Sequence, residues 1–244
     1  FLRSNIITSG IKYCFSTGNW GIQRTAYVRL GVSQVLSRLS YGSTISHKRR
    51  ISIPIGKESK NTKIRQIQQS QIMFICPCET PEGQSVGIVL NLALFTRITN
   101  ENKNTSVLTI DHIRRLANIK STDETHINQI HTLVFVNNVI VGITYNTKEL
   151  LKELNDSRDA KYIDHDTSIT YNSINNEIHI YTDSGRLVRP LLTMNNNKIL
   201  FDNINDKNKT WDQLVYDNII KYIDNNEVEN VTVAFNDASF KLQH

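Results

Sequence analysis

Leu133-Val134-Phe135-Val136-Asn137-Asn138-Val139-Ile140-Val141-Gly142-Ile143 consists of two apolar, β-branched runs parted by two asparagines. Asparagine tolerates the left-handed backbone that a two-residue connection demands, so the stretch predicts a β-hairpin turning at Asn137-Asn138. Downstream, Asn146 or Thr147 is placed to cap a helix that turns Leu150, Leu151 and Leu154 inward. Ile169 to Tyr171 and Glu177 to Tyr181 then form a second hairpin pattern around Asn175-Asn176. The order strand, strand, helix, strand, strand predicts a small α+β module. Upstream, Ile110, Ile113 and Ala117 predict one helix, with Asp111 near its start and Arg114 and Arg115 later, as the helix dipole favours.

Towards the C-terminus, Asn195-Asn196-Asn197 reads as a linker, and Thr210 with Gln213 forms a capping-box pattern. Trp211, Leu214, Val215, Ile219, Tyr222 and Ile223 supply an apolar stripe that predicts a helix over 211–223. Val231, Val233 and Phe235 alternate like a strand.

Towards the N-terminus, Val32, Val35, Leu36 and Leu39 recur at i, i+3, i+4 and i+7 and predict a helix whose polar face carries Gln34, Ser37 and Arg38. Turn compositions flank it, Thr17-Gly18-Asn19-Trp20-Gly21 before and Tyr41-Gly42-Ser43-Thr44 after. Ile51, Ile53 and Ile55 alternate as a short strand, and the polar run from Gly56 to Lys63 is excluded from any core. Ile72 to Ile75 predicts another strand, leading into Pro77-Cys78-Glu79-Thr80-Pro81-Glu82-Gly83, where two prolines and a glycine forbid regular structure.

The 244 residues are 39% hydrophobic and 21% charged, enough apolar material for two or three small cores. No segment approaches the roughly 18 consecutive apolar residues of a membrane-spanning helix. Three cysteines, Cys14, Cys76 and Cys78, point to a reducing, intracellular compartment rather than a disulfide framework, and Cys78 reads as a buried small hydrophobe. Residue 1 is Phe, which suggests a piece of a longer polypeptide. The net charge of +5 conceals a division: residues 1–100 hold 13 Lys and Arg against Glu58, Glu79 and Glu82, while residues 101–244 hold 15 against 20 carboxylates. A basic segment of that density suits either a polyanion or a solvated face.

Candidate chemistry is sparse. Cys76-Pro77-Cys78 lacks the further well-spaced ligands of a structural zinc site, and neither a phosphate-binding glycine loop nor a nucleophile elbow is present. Glu79 and Glu82 would support a hydrolase reading as an acid/base pair, but spacing of three in a proline-broken loop gives them no fixed geometry.

Five ordered motifs are far more specific: Thr8-Ser9-Gly10-Ile11-Lys12-Tyr13, Thr17-Gly18-Asn19-Trp20-Gly21, Gly31-Val32-Ser33-Gln34-Val35-Leu36-Ser37-Arg38, Ser43-Thr44-Ile45-Ser46-His47-Lys48-Arg49-Arg50 and Cys76-Pro77-Cys78-Glu79-Thr80-Pro81-Glu82-Gly83-Gln84. With Val134 to Gly142 and Asp183-Ser184-Gly185-Arg186-Leu187-Val188-Arg189-Pro190-Leu191, this resembles the second-largest, β or Rpb2-like, subunit of multisubunit DNA-directed RNA polymerase, in its eukaryotic, archaeal or large-DNA-virus branch.

The resemblance implies an α+β, multi-domain fragment: an irregular mixed α/β fork region over 1–105, then two small α+β external domains over 106–192 and 193–244. It implies that the fork lines the channel for downstream DNA and the RNA–DNA hybrid, with residues of roughly 14 to 31 as a first fork loop and residues 56–63 as a second. Gln34, His47, Lys48, Arg49, Arg50, Lys57, Lys60, Lys63 and Arg65 then fall at nucleic-acid-binding positions. Arg49 or Arg50 pairing with a buried carboxylate is the alternative. Glu79, Thr80, Pro81, Glu82 and Gly83 fall at an interface with the largest subunit. The implied enzyme is a nucleotidyltransferase whose Mg2+ is held outside this chain, so the segment alone is expected to be inactive. Implied partners are the other polymerase subunits, template DNA and nascent RNA, in the nucleus, or in cytoplasm or virion. A standalone, non-catalytic nucleic-acid-binding or scaffold protein is the alternative.

Overall fold

The computed structural model describes residues 3–20, 31–53, 55, 61–100, 105–121, 131–195, 198–203 and 209–234. The chain divides into two compact units, residues 1–51 and 52–244. Helices and sheets are mixed along the chain, as an α+β fold requires, with no closed barrel among the described residues.

In the first unit, α1 (Ser4–Thr17) ends at Gly18, whose left-handed φ of 73° closes the helix through a bond from its N–H to the Cys14 carbonyl. A Cβ on Gly18 would meet the Ser33 carbonyl oxygen at 2.5 Å, so backbone approach as well as φ requires glycine here. The helix expected over 32–39 is absent; residues 31–40 are irregular, and Val35 and Leu39 are 95% and 94% exposed. Helical spacing without a surface to bury it on does not form a helix. The helix α2 (Tyr41–Lys48) instead occupies the stretch read as a turn, because Ser40 caps it by accepting from Ser43 N–H.

The second unit holds the predicted module. Strands β4 (Thr132–Val136) and β5 (Val139–Thr144) form the hairpin at Asn137-Asn138, with φ of 45° and 67°, as expected of a left-handed turn. The helix α4 (Thr147–Asp159) starts where Asn146 accepts from Glu149 N–H. Strands β6 (Ser168–Asn172) and β7 (Glu177–Tyr181) make the second hairpin. The four strands lie in the order β5-β4-β7-β6, with β4 and β7 parallel at the centre. Val134, Val136, Ile178 and Ile180 from the sheet and Leu150 and Leu154 from α4 form a fully buried core. Ile113 joins it from α3 (Thr105–Ile113), a helix that begins and ends earlier than its Ile110-to-Ala117 pattern suggested.

A second sheet unites distant segments: β3 (Arg97–Ile98), β8 (Leu187–Leu192) and β11 (Ile220–Asp224) lie in the order β11-β8-β3, all antiparallel. This corrects the helix over 211–223. The capping box of Thr210 and Gln213 starts α5 (Trp211–Tyr216) as expected, but Asn218 turns left-handed at φ 58° and the chain re-enters as a strand. Ile220, Tyr222 and Ile223 are good strand formers, and opposite β8 they gain a ladder that a helix would forgo.

Smaller readings also change. Ile72 to Ile75 is a turn with one isolated bridge, Ile75 to Leu92, rather than a strand. Met194–Asn195 and Lys198–Ile199 pair as β9 and β10 where a linker was expected. Val231 and Val233 lie in no strand; Asn230 already occupies the edge of β6, its side chain exchanging hydrogen bonds with Tyr171 N–H and C=O. Phe235 lies outside the described residues. Cys78 is exposed, not buried, because the proline-rich loop that carries it stands at the surface.

Candidate nucleic-acid interface

In the first unit, serine, threonine and histidine side chains strap the irregular segment 31–40 onto α2. Thr44 Oγ1 donates to the Ser37 carbonyl at 2.8 Å, the Ser37 and Ser43 hydroxyls bond one another, and Ser37 N–H donates to His47 Nδ1 at 3.0 Å. His47 Nε2 meets Gln34 Oε1 at 3.0 Å, and Gln34 Nε2 donates to the Gly31 carbonyl at 2.9 Å. At the other end Val32 N–H donates to the Gly18 carbonyl at 2.9 Å and Ser33 Oγ to the Cys14 carbonyl at 3.3 Å. Gln34 and His47 are therefore brought together, although thirteen residues part them in sequence.

At the end of α2, Lys48 and Arg50 (the latter in β1, Arg50–Ser52) are exposed, with no carboxylate partner among the described residues. Arg49 is half-buried.

In the second unit, Lys63 is exposed at the head of a single helical turn, and Lys57 and Lys60 lie outside the described residues. Arg65 also makes contacts within the chain. Its Nη1 donates to the carbonyls of Gln84 at 2.7 Å and Val86 at 2.8 Å, clamping the turn that follows the proline-rich loop. Gly87 lets this happen: its φ is 71°, and a Cβ there would stand 2.3 Å from the Arg65 carbonyl oxygen.

Thr80 fastens the loop from the other side, its hydroxyl donating to the Val89 carbonyl, at the start of β2 (Val89–Asn91), and accepting from Gly87 N–H, while Asn91 Nδ2 donates to the Glu79 carbonyl at 3.2 Å. The loop is thus pinned at Glu79, Thr80 and Gly83, while all five residues from Glu79 to Gly83 are exposed. Among the described residues Glu79 and Glu82 are joined by no third acid, His or Cys in a metal-holding group. Nor, among the described residues, does any other such group of three gather to hold a metal ion.

Four arginines to which the sequence assigned no partner lie in the second unit. Arg97 pairs with Asp166 and lies 3.9 Å over the Tyr222 ring. Arg158 reaches Glu227 at 2.7 Å, both buried. Arg186 binds Asp224 at 3.1 Å and the Asp166 carbonyl at 2.6 Å. Arg189 donates to the Met73 carbonyl at 2.8 Å, tying β8 to the segment before the proline-rich loop. Only Arg186 and Arg189 stood in a recognisable motif, and the motif gave no clue to their partners. Here too charges are perturbed: a hydrogen bond to Asp164 raises His165 above its ordinary value, and burial pushes the Glu227 carboxyl up against the pull of Arg158.

Residues 34–98 match the family model for RNA polymerase Rpb2, domain 3, and residues 134–195 that for RNA polymerase Rpb2, domain 4. The chain is 37% identical over 242 residues to DNA-directed RNA polymerase II subunit 2 of Arabidopsis thaliana, covering 96% of this chain and 20% of the plant protein. It is 35% identical to DNA-directed RNA polymerase III subunit RPC2 of Drosophila melanogaster, over 97% of this chain and 21% of the fly protein. To DNA-directed RNA polymerase subunit Rpo2 of Sulfolobus acidocaldarius it is 33% identical, over 100% of this chain and 22% of the archaeal protein. The chain thus spans about a fifth of the length of the curated relatives it matches.

Proposed function

The chain belongs to the Rpb2 family of second-largest DNA-directed RNA polymerase subunits, and from that membership we propose that it guides nucleic acid within an assembled polymerase while bond formation takes place on other residues. On this reading residues 1–105 are the fork, 106–192 and 193–244 the external domains. The sheet of β3, β8 and β11 draws one strand from each, which would brace the fork against both external domains. The observation that carries the guiding role is the exposure of Lys48, Arg50 and Lys63 without a carboxylate partner among the described residues, whereas Arg97, Arg158 and Arg186 further along are neutralised in place. Unpaired ammonium and guanidinium groups attract phosphate at long range and release its counterions on contact, with no sequence preference. Gln34 and Arg49 in the first unit, and Lys57 and Lys60 in the second, are proposed as nucleic-acid contacts of the same kind. Arg65 is proposed as a nucleic-acid contact too, and it also shapes the loop at Glu79 to Gly83, the proposed contact with the largest subunit. Mg2+ would be held elsewhere in the assembly, and the intracellular sites of transcription are the setting.

The test replaces Lys48, Arg50 and Lys63 by Ala in the assembled polymerase and follows the stability of a preformed elongation complex against salt. Removing one phosphate-binding cation should flatten the log–log salt dependence by roughly 0.7 to 0.9, while nucleotide addition persists at low salt. An unchanged slope removes the electrostatic role; a mutant that assembles yet adds no nucleotide at any salt makes these residues catalytic instead.

A further inference from the structure

We propose that His47 is a positioning residue that fixes the polarity of the Gln34 amide, presenting its N–H and not its carbonyl to RNA phosphate; this rests on reading Gln34 as an RNA contact. Ser37 N–H donates to His47 Nδ1, and a ring nitrogen that accepts carries no proton, so in the neutral ring the proton sits on Nε2. That Nε2–H donates to Gln34 Oε1. The amide oxygen is thereby turned towards His47, and the amide nitrogen spends one hydrogen on the Gly31 carbonyl. Its second hydrogen has no acceptor among the described residues, and Gln34 is exposed. Flipping the amide would set NH2 against the His47 N–H and one carbonyl against another, two repulsions in place of two bonds.

Phosphate oxygens only accept, so a glutamine free to flip would present the wrong face part of the time. Ser37 makes the arrangement firm. Its carbonyl and hydroxyl are held by Thr44 and Ser43 of α2, so the N–H that selects the His47 tautomer is fixed to the same helix that carries His47.

The experiment uses the assembled polymerase on a preformed RNA–DNA scaffold and measures RNA retention time. Gln34→Ala removes the donor, and Gln34→Glu keeps the acceptor for His47 but offers phosphate no donor. His47→Asn keeps an acceptor near the Nδ1 position alone; His47→Gln reaches the Nε2 position with an N–H. Gln34→Ala, Gln34→Glu and His47→Asn should each shorten retention about tenfold, the scale of one hydrogen bond to a charged group. His47→Gln should restore most of it, and Gln34→Ala combined with His47→Asn should be no worse than Gln34→Ala. If Gln34→Ala shortens retention but His47→Asn does not, the positioning role fails and the RNA contact stands. Additive losses in the double variant would make His47 an independent nucleic-acid contact and also overturn it. If Gln34→Ala has no effect, the RNA contact itself fails.

Discussion

Two sets of cations in this chain are handled in opposite ways. At the end of α2 and around residue 63, Lys48, Arg50 and Lys63 stand in solvent without a carboxylate among the described residues. Across the sheets, Arg97, Arg158 and Arg186 are each met by an acid, and Arg158 and Glu227 are only 8% and 3% exposed. A paired, buried charge costs desolvation and gives geometry in return; an unpaired, exposed one costs the fold little and remains available to an outside anion. The same residue types thus bind the protein to itself at one set of positions and stand open to solvent at another.

The largest effect should come from breaking the buried pair. Glu227→Ala leaves the Arg158 guanidinium unpaired and should cost about 3–5 kcal/mol in chemical unfolding, whereas replacing both residues by apolar ones of similar volume should cost far less. Equal losses in the two variants would mean that packing, not charge, matters there. Next, Arg186→Met removes the bonds to Asp224 and to the Asp166 carbonyl and should destabilise by about 1.5–3 kcal/mol, visible as a lowered urea midpoint. A neutral result would show that β3, β8 and β11 hold without this bridge.

A smaller effect belongs to His165, which stands 3.0 Å from Asp164 and 3.4 Å from Asp166, with Arg97 opposing and the Tyr222 ring alongside. Its hydrogen bond to Asp164 raises the folded value above the ordinary 6.5. The charged ring therefore stabilises the fold fully below that ordinary value, and the contribution is lost as pH rises through the folded one. Urea midpoints should fall slightly from pH ~6 to ~8.5, and His165→Gln should flatten the change; the side chain is half exposed, so solvent screening keeps it modest. Smallest of all, the Lys48, Arg50 and Lys63 triple variant should leave stability within about 0.5 kcal/mol while altering salt dependence in the assembly. A large loss of stability would place these cations in the fold and erase the contrast.

The hairpin at Asn137-Asn138, the Asn146 cap, the Thr210 capping box and the family motifs were legible because each is a short-range rule: a left-handed turn, an N–H needing an acceptor, an ordered string of residue types. The segment 32–39 and the strand at Ile220 were not. Apolar spacing says which residues share a side if a helix forms, but whether one forms depends on what lies opposite, and Val35 and Leu39 face solvent while Ile220 to Asp224 meet β8. The site divides likewise. The family motifs marked Gln34, His47, Lys48 and Arg50, yet the bond of His47 to both Ser37 and Gln34, the turn of Arg65 inward to Gln84 and Val86, and the Arg158–Glu227 pair arise from residues 10 to 69 apart in sequence. Such partners are selected by three-dimensional proximity and by the cost of leaving a buried polar group unmatched, and neither is written in local order.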